Sequence, residues 1–376
     1  MKFKETDLSL LLVAFFFLGF GLVQVYSSSY IFAIESYGDG LFFFKKQFFA
    51  VVIGLAIIAT CYFLNWKQLS RVGLSLWVLA VIGVLLTFVP SLGVKVGGAT
   101  RWLSLPGGLR FEPSELLKVS YPFVVGYWIN WLKKERLLRS KILVVALLCW
   151  PFYFLLKQPD FGTVVICGAS LFYVHFAFGM RIKTVLAFAL TTVPAFYFLV
   201  MQVGYRYDRV KSFLDPWSDP SNSGFQAIQS MLSFHSGGLF GRGLGQGQGK
   251  LYFLPEAHTD FTFAVLGEEW GFIGVLAILF LFAFFIYRGF RIVVHSKNTY
   301  SMSVALGLII TFTLSVVINM GVVMGLLPTK GLTLPFLSYG GSSLVSVCFL
   351  VGVLINISSE SKNMVKKNSN RFMRVS

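Results

Sequence analysis

The sequence predicts an all-α integral membrane protein: ten transmembrane helices, both termini cytoplasmic, and a large extracytoplasmic loop between helices 7 and 8. Three observations predict it. Of 376 residues, 56% are apolar or aromatic and 13% are charged, about half the charge of a soluble domain, and the mean hydropathy is +0.74. The apolar stretches run unbroken for about 20 residues, the length a helix needs to cross a bilayer core, whereas a membrane barrel shows short alternating segments. The 32 Lys and Arg mostly flank those stretches. Forty-one Phe against sixteen Asp and Glu also exclude a disordered chain or a surface-bound amphipathic one.

The spans fall near 8–28, 47–64, 73–90, 113–131, 142–157, 162–179, 184–203, 261–287, 302–324 and 341–357. An even number puts both ends on one side. With the ends inside, the inner segments hold nineteen basic residues and four acids, the outer ones thirteen and ten, so the positive-inside rule sets the orientation. The first span is long enough to cross and is not followed by a small-residue cleavage site, so it reads as helix one rather than a removed leader. The basic tail 358–376 suits anionic lipid headgroups; without aromatic interleaving or a binding motif it gives no reason to expect nucleic acid. Cys61, Cys149, Cys167 and Cys348 lie in or beside spans, without metal spacing, and read as small buried hydrophobes.

Two outer segments are longer than connection requires, and function is expected there. In the first, 91–112, Arg101 beside Trp102 suits a sugar or diphosphate, since guanidinium binds phosphate bidentately and indole stacks on a sugar ring; an interfacial anchor is the other account of the Trp. Glu115 and Lys118 follow at i and i+3, the spacing of an intrahelical ion pair. In the second, 204–260, the stretch 224–234 sets Phe225, Ile228 and Leu232 at helical spacing and is expected to lie along the membrane surface. The glycine-rich run 237–249 offers backbone N–H groups to a phosphate but lacks a nucleotide-loop pattern, which leaves a flexible turn equally open.

The run 255–260, PEAHTD, places Glu256, His258 and Asp260 where helix eight enters the outer leaflet. Thr259 or Asp260 could cap that helix; an Asp at this interface could also be a general base that deprotonates an attacking hydroxyl. Glu268 and Glu269 lie roughly 12–14 Å deeper, at about 1.5 Å per residue, where ionisable groups are functional candidates unless paired by Lys or Arg of another helix. After span nine, two prolines, four glycines and Lys330 at membrane depth imply irregular backbone, tolerated there only when buried in protein or lining a wet cavity. A glycine-rich packing surface is the alternative.

The runs RWLSLPGGLRFEPSELLK, KQPDFGT, SGGLFGRGLG, YFLPEAHTDFTFAVLGEEWGFIG and GLLPTKGLTLPFLSYGGSS resemble, in this order, the SEDS family (shape, elongation, division and sporulation), and the resemblance covers the chain from Asp7 to about Ile357. The PTKGLTLPF run is more similar to its division branch than to its elongation branch, and the sporulation branch is close. The resemblance implies ten membrane helices and a peptidoglycan glycosyltransferase. Such an enzyme polymerises lipid II into a growing glycan strand at the outer face of the cytoplasmic membrane, beside a class B penicillin-binding protein and other divisome proteins. It places the family's essential acid on Asp260 as catalytic residue. Its other motif positions fall on Arg101, Trp102, Glu115, Lys118, Asp160 and Lys330, with Lys250, Glu256, His258 and Ser338 as further substrate-binding candidates. The chain departs in carrying GQGQGK at 245–250 and Thr262.

On that reading Asp260 deprotonates the acceptor sugar's 4-hydroxyl, which displaces undecaprenyl diphosphate with inversion. The leaving diphosphate needs cations, for which Arg101, Lys118, Arg206, Arg209, Lys250 and Lys330 are candidates. A divalent cation, Mg or Mn, is a candidate cofactor without a diagnostic ligand spacing. Two rivals are a lipid II transporter, to which Glu268, Glu269 and Asp160 would point, and a non-catalytic division scaffold.

Overall fold

A computed structural model describes residues 7–96, 98–106, 109–132, 138–249, 254–296 and 298–372, with side chains left undescribed at 138–142, 361–372 and several positions in 189–205. Among the described residues twelve α-helices run in chain order: α1 Leu8–Tyr37, α2 Phe42–Phe63, α3 Trp66–Leu86, α4 Pro113–Leu132, α5 Leu138–Lys157, α6 Phe161–Ala177, α7 Ile182–Phe196, α8 Gly204–Leu214, α9 Phe225–Gly237, α10 Thr262–His295, α11 Thr299–Val323 and α12 Gly341–Phe372. Ten of these coincide with the ten apolar stretches; α8 and α9 lie in the long loop. Among the described residues, six helices (α1, α2, α3, α10, α11 and the 341–360 part of α12) are long and apolar enough to cross a membrane by length and composition.

Close packing comes from small residues where helices meet, as expected without a hydrophobic drive between helices in lipid. A Cβ on Gly54 of α2 would stand 2.5 Å from the Cys348 Sγ of α12, and one on Gly352 of α12 would stand 2.7 Å from the Cys61 Cβ. Asn356 fastens the same pair of elements by donating to the carbonyls of Cys61 and Leu64, both at 2.8 Å. At the opposite end of α10 from residue 262, Arg288 grips Asp7, the N-cap of α1, at 2.8 Å.

The segment 91–112 is not the bare loop expected. It forms a three-stranded antiparallel sheet, β1 Gly93–Val96, β2 Ala99–Leu105 and β3 Leu109–Phe111, in the order β1-β2-β3. Val94 pairs with Trp102 but Lys95 with Thr100, so Arg101 is the extra residue of a β-bulge, a device that re-aims a side chain.

The stretch at 224–234 is helical, as its spacing predicts, and α9 packs on α10. It buries Ala227, Ile228, Ser230, Ser233 and Gly237 while Leu232 is exposed. Phe234 meets Phe263, a Cβ on Gly237 would strike the Gly267 carbonyl, and one on Gly241 the Glu269 carbonyl. The two segments therefore advance side by side for about two turns. At Gly271 (φ 65°, ψ −168°) α10 breaks its helical geometry, and the glycine run crosses the break: Phe272 and Ile273 N–H donate to the Gly238 and Leu239 carbonyls. Phe240, in the crossing segment, is 80% exposed.

A candidate anion-binding active site at the end of the bundle

Five side chains from four separate parts of the chain line one pocket of about 100 Å³: Arg101 from the bulge, Asp160 before α6, Arg206 and Arg209 from α8, and Lys330 from the segment between α11 and α12. Arg101 donates to the carbonyls of Gln158, at 3.3 Å, and Pro159, and Gln158 in turn donates to the Val84 carbonyl and the Thr87 hydroxyl at the end of α3. Asp160 caps α6, its Oδ1 accepting from Thr163 N–H at 3.2 Å; its other oxygen is buried without a hydrogen-bond partner on the pocket wall. Lys330 and Arg206 both stand over the Phe161 ring, at 4.8 and 5.3 Å. Arg209 donates to the Thr329 carbonyl at 3.0 Å, tying α8 to the Lys330 segment.

Asp260 joins this pocket through Gly331. A Cβ built on Gly331 would lie 3.2 Å from Asp260 Oδ2 and 3.7 Å from Arg101 Nη1, so a side chain there would press on both. The Asp260 carboxylate does not cap α10, whose N-cap is Phe261 without a side-chain bond; Thr259 Oγ1 donates to Glu256 instead, at 2.8 Å. Its carboxyl is pushed up to about 7, first by desolvation and then by Glu256, against the lowering pull of Arg101 and Arg209. Burial, with Arg209 and Arg206 adding to it, lowers the Lys330 ammonium to about 8 while Asp160 opposes the shift. Near neutrality the site thus holds a carboxylate close to its titration point among cations, a pattern found where proton transfer and anion binding coincide.

The remaining sequence-predicted residues are distributed around this centre. Glu115 and Lys118 form the expected ion pair, 2.8 Å apart and buried in α4. Trp102 is half-buried on β2 and is not in the pocket wall. His258 is stacked on Phe32 at 5.1 Å and tilted against Phe43 at 4.8 Å, in an aromatic box away from the cations. Ser338 Oγ is taken up by Leu334 N–H at 2.9 Å inside the irregular segment. That segment is packed into the bundle, where Phe336 stacks on Phe17 and its carbonyl leaves no room for a Cβ on Gly21. Lys250 lies outside the described residues.

Glu268 and Glu269 are paired, but chiefly by backbone. Glu268 accepts from the N–H groups of Gln248 (2.8 Å) and Gly249 (2.9 Å) and from the Ser236 hydroxyl, with Arg242 at 3.9 Å; Glu269 accepts from Gly245 N–H and the Ser27 hydroxyl of α1. The glycine run does cradle anions, and they are the protein's own carboxylates. Glu268→Ala strands the buried Gly249 N–H donor at about 1–3 kcal/mol and frees the part-buried one of Gln248; the expected result is a clear fall in Tm in detergent by scanning fluorimetry, with Glu268→Gln, which keeps one acceptor oxygen, falling less.

Among the described residues no three His, Cys, Asp or Glu converge in a way that could hold a metal ion, and the two pocket carboxylates stand among four cationic side chains. Those residues do not fit a resident dication, and no step below passes through one.

A polytopic helical bundle carrying a cation-lined acid site at one end defines a class of membrane-embedded proteins that handle anionic substrates. The particular affiliation is direct: the profile of the FtsW, RodA and SpoVE cell cycle protein family matches residues 7–363, and the chain belongs to that family. It is 39% identical over 369 residues to a Geobacter metallireducens protein named "Probable peptidoglycan glycosyltransferase FtsW", covering 96% of both chains. It is 37% identical to stage V sporulation protein E of Bacillus subtilis, covering 96% of this chain and all of the relative. Among solved structures, it superposes on a chain of a peptidoglycan synthase complex studied for its coordination of polymerization and crosslinking (TM-score 0.75, 27% identity, 95% and 98% covered). It also superposes on the rod shape determining protein RodA of Thermus thermophilus (TM-score 0.68, 25% identity, 94% and 96% covered).

Sequence reasoning did not single out Asn319 or Gly331. The available signal was a lone amide in an otherwise apolar helix and a glycine beside the only Lys of its segment.

Proposed function

We propose that this chain is a peptidoglycan glycosyltransferase that polymerises lipid II at the outer face of the cytoplasmic membrane, where septal wall is made. The observation that carries the reading is the placement of Asp260 against Gly331, on the border of a pocket that Arg101, Arg206, Arg209 and Lys330 line from separate elements. Asp260 takes the proton of the acceptor's 4-hydroxyl as that oxygen bonds to the donor's anomeric carbon. The bond from that carbon to the diphosphate oxygen breaks, and its electron pair leaves on undecaprenyl diphosphate, which the cations receive. A diphosphate is a good leaving group, so one carboxylate suffices and the product is inverted.

The same reading treats the chain as one membrane domain crossing ten times, with both ends cytoplasmic, 204–260 as the outer loop and 358–376 as an inner basic tail. A class B penicillin-binding protein crosslinks the strand beside it, with other divisome proteins, and membrane lipids surround both. Asp160, Glu115, Lys118 and Glu256 shape the charge around the donor, while Trp102, His258, Ser338 and Lys250 serve the sugars or the segments that hold them.

The transporter alternative loses support from the engagement of Glu268 and Glu269 with the glycine run, since neither is left as a stepping stone through the midplane. The test uses the full chain co-purified with its penicillin-binding protein and supplied with lipid II. Long glycan strands on a gel are expected; lipid II crossing liposome bilayers without strand formation would overturn the proposal.

A further inference from the structure

Asn319 sits on α11, one turn before its end, 2% exposed. Its Nδ2 donates to two carbonyls of different segments: that of Asp260, at 2.9 Å, and that of Leu332, at 2.5 Å. Leu332 follows Lys330, which lines the pocket, and Gly331, which lies beside Asp260 and Arg101. One amide therefore holds the carboxylate-bearing segment and the cation-bearing segment at a set separation, from a rigid helix behind both.

Helix packing alone does not explain this arrangement. The Asn319 Oδ1 is buried without a hydrogen-bond partner, a state that costs stability; an apolar residue would avoid that cost but leave the Asp260 and Leu332 carbonyls without their donor. What the amide supplies and an apolar residue cannot is the pair of N–H donors aimed at the two segments. We infer that Asn319 is a positioning residue for the transfer reaction, which holds Asp260 at working distance from the cationic pocket. The inference rests on the proposed role of Asp260 as base.

Displacement of a reacting group by about 1 Å costs on the order of 100-fold in rate. Asn319→Leu, close in volume and without donors, is accordingly expected to lower kcat for lipid II polymerisation by about 30- to 100-fold, with KM within about two-fold. Because Asp260 would shift relative to Arg101, the acid limb of the pH–rate profile is also expected to move, which a loss of folded protein alone does not produce. Asn319→Gln, which keeps the donors on a stem one carbon longer, is expected to recover part of kcat. Should the Leu variant not fold, Asn319→Ala, smaller than the native side chain and likewise without donors, carries the same expectation.

An unchanged kcat and acid limb in the Leu or Ala variant, or a change confined to KM, would overturn the inference. Asp260→Asn assayed in parallel separates the two levels: if that variant retains activity, it is the base assignment that fails, whatever Asn319 does.

Discussion

Asp260→Asn is expected to cut lipid II polymerisation by about 1,000-fold or more, at the upper part of the 10²–10⁴ range for a general base, while the protein stays folded and still binds lipid II. The amide keeps the shape of the carboxyl and removes only its ability to take a proton. The pH dependence gives the claim a second handle. The base works ionised, and with its carboxyl pushed up to about 7, the wild-type rate should climb as pH rises through that value. The causes of the shift can be tested one at a time. Glu256→Gln removes a like charge and moves the limb to lower pH, whereas Arg209→Ala removes a stabilising cation and moves it higher. Folding linkage runs the opposite way. Because the folded-state value lies above the 3.8 of a free aspartate, the contribution of this group to stability is complete below about 4 and is lost as pH rises through about 7. At pH 8 the inactive Asn variant should therefore melt no lower than wild type.

Lys330→Ala is expected to reduce kcat/KM by about 100-fold, the scale for removing one charge-stabilising group from a preorganised site. The more decisive variant is Lys330→Arg. With the ammonium lowered to about 8, wild type should lose its cation, and with it activity, as pH rises past 8. Together with the Asp260 limb this leaves a narrow bell centred between about 7 and 8. A guanidinium does not titrate in this range, so the Arg variant should keep the acid limb and lose the alkaline one, at a reduced plateau. An alkaline limb that persists in the Arg variant assigns it to another group.

The ten apolar stretches announced their helices because twenty consecutive lipid-compatible residues leave few alternatives. The expected 113–131 and 162–179 lie close to Pro113–Leu132 and Phe161–Ala177. Lys330 was legible as a lone cation at membrane depth, Arg101 by its place beside Trp102, Asp260 by its place in PEAHTD at the head of a span, and Arg206 and Arg209 as cations of the long outer loop, whereas Asp160 came with the family motif. The sheet was not legible: its strands are three to seven residues long, too short to show a period. Nor was the partnership of Glu268 and Glu269 with the glycine run, since backbone N–H groups carry no residue signature. His258 and Ser338 show a further limit. Their types suggest a site, but only packing tells that one faces Phe32 and Phe43 and the other Leu334.

The strap that crosses the break at Gly271 imposes an order on biogenesis. Residues 237–249 leave the ribosome before α10 does, and they have no place to settle until it arrives. When α10 enters the bilayer it carries two carboxylates, each a burden of about 3 kcal/mol on insertion, and their partners wait in the segment just delivered. Insertion and docking are thus one coupled event. Lengthening the tether between 249 and 260 should therefore delay the release of α10 from the insertion machinery even where the finished protein is equally stable.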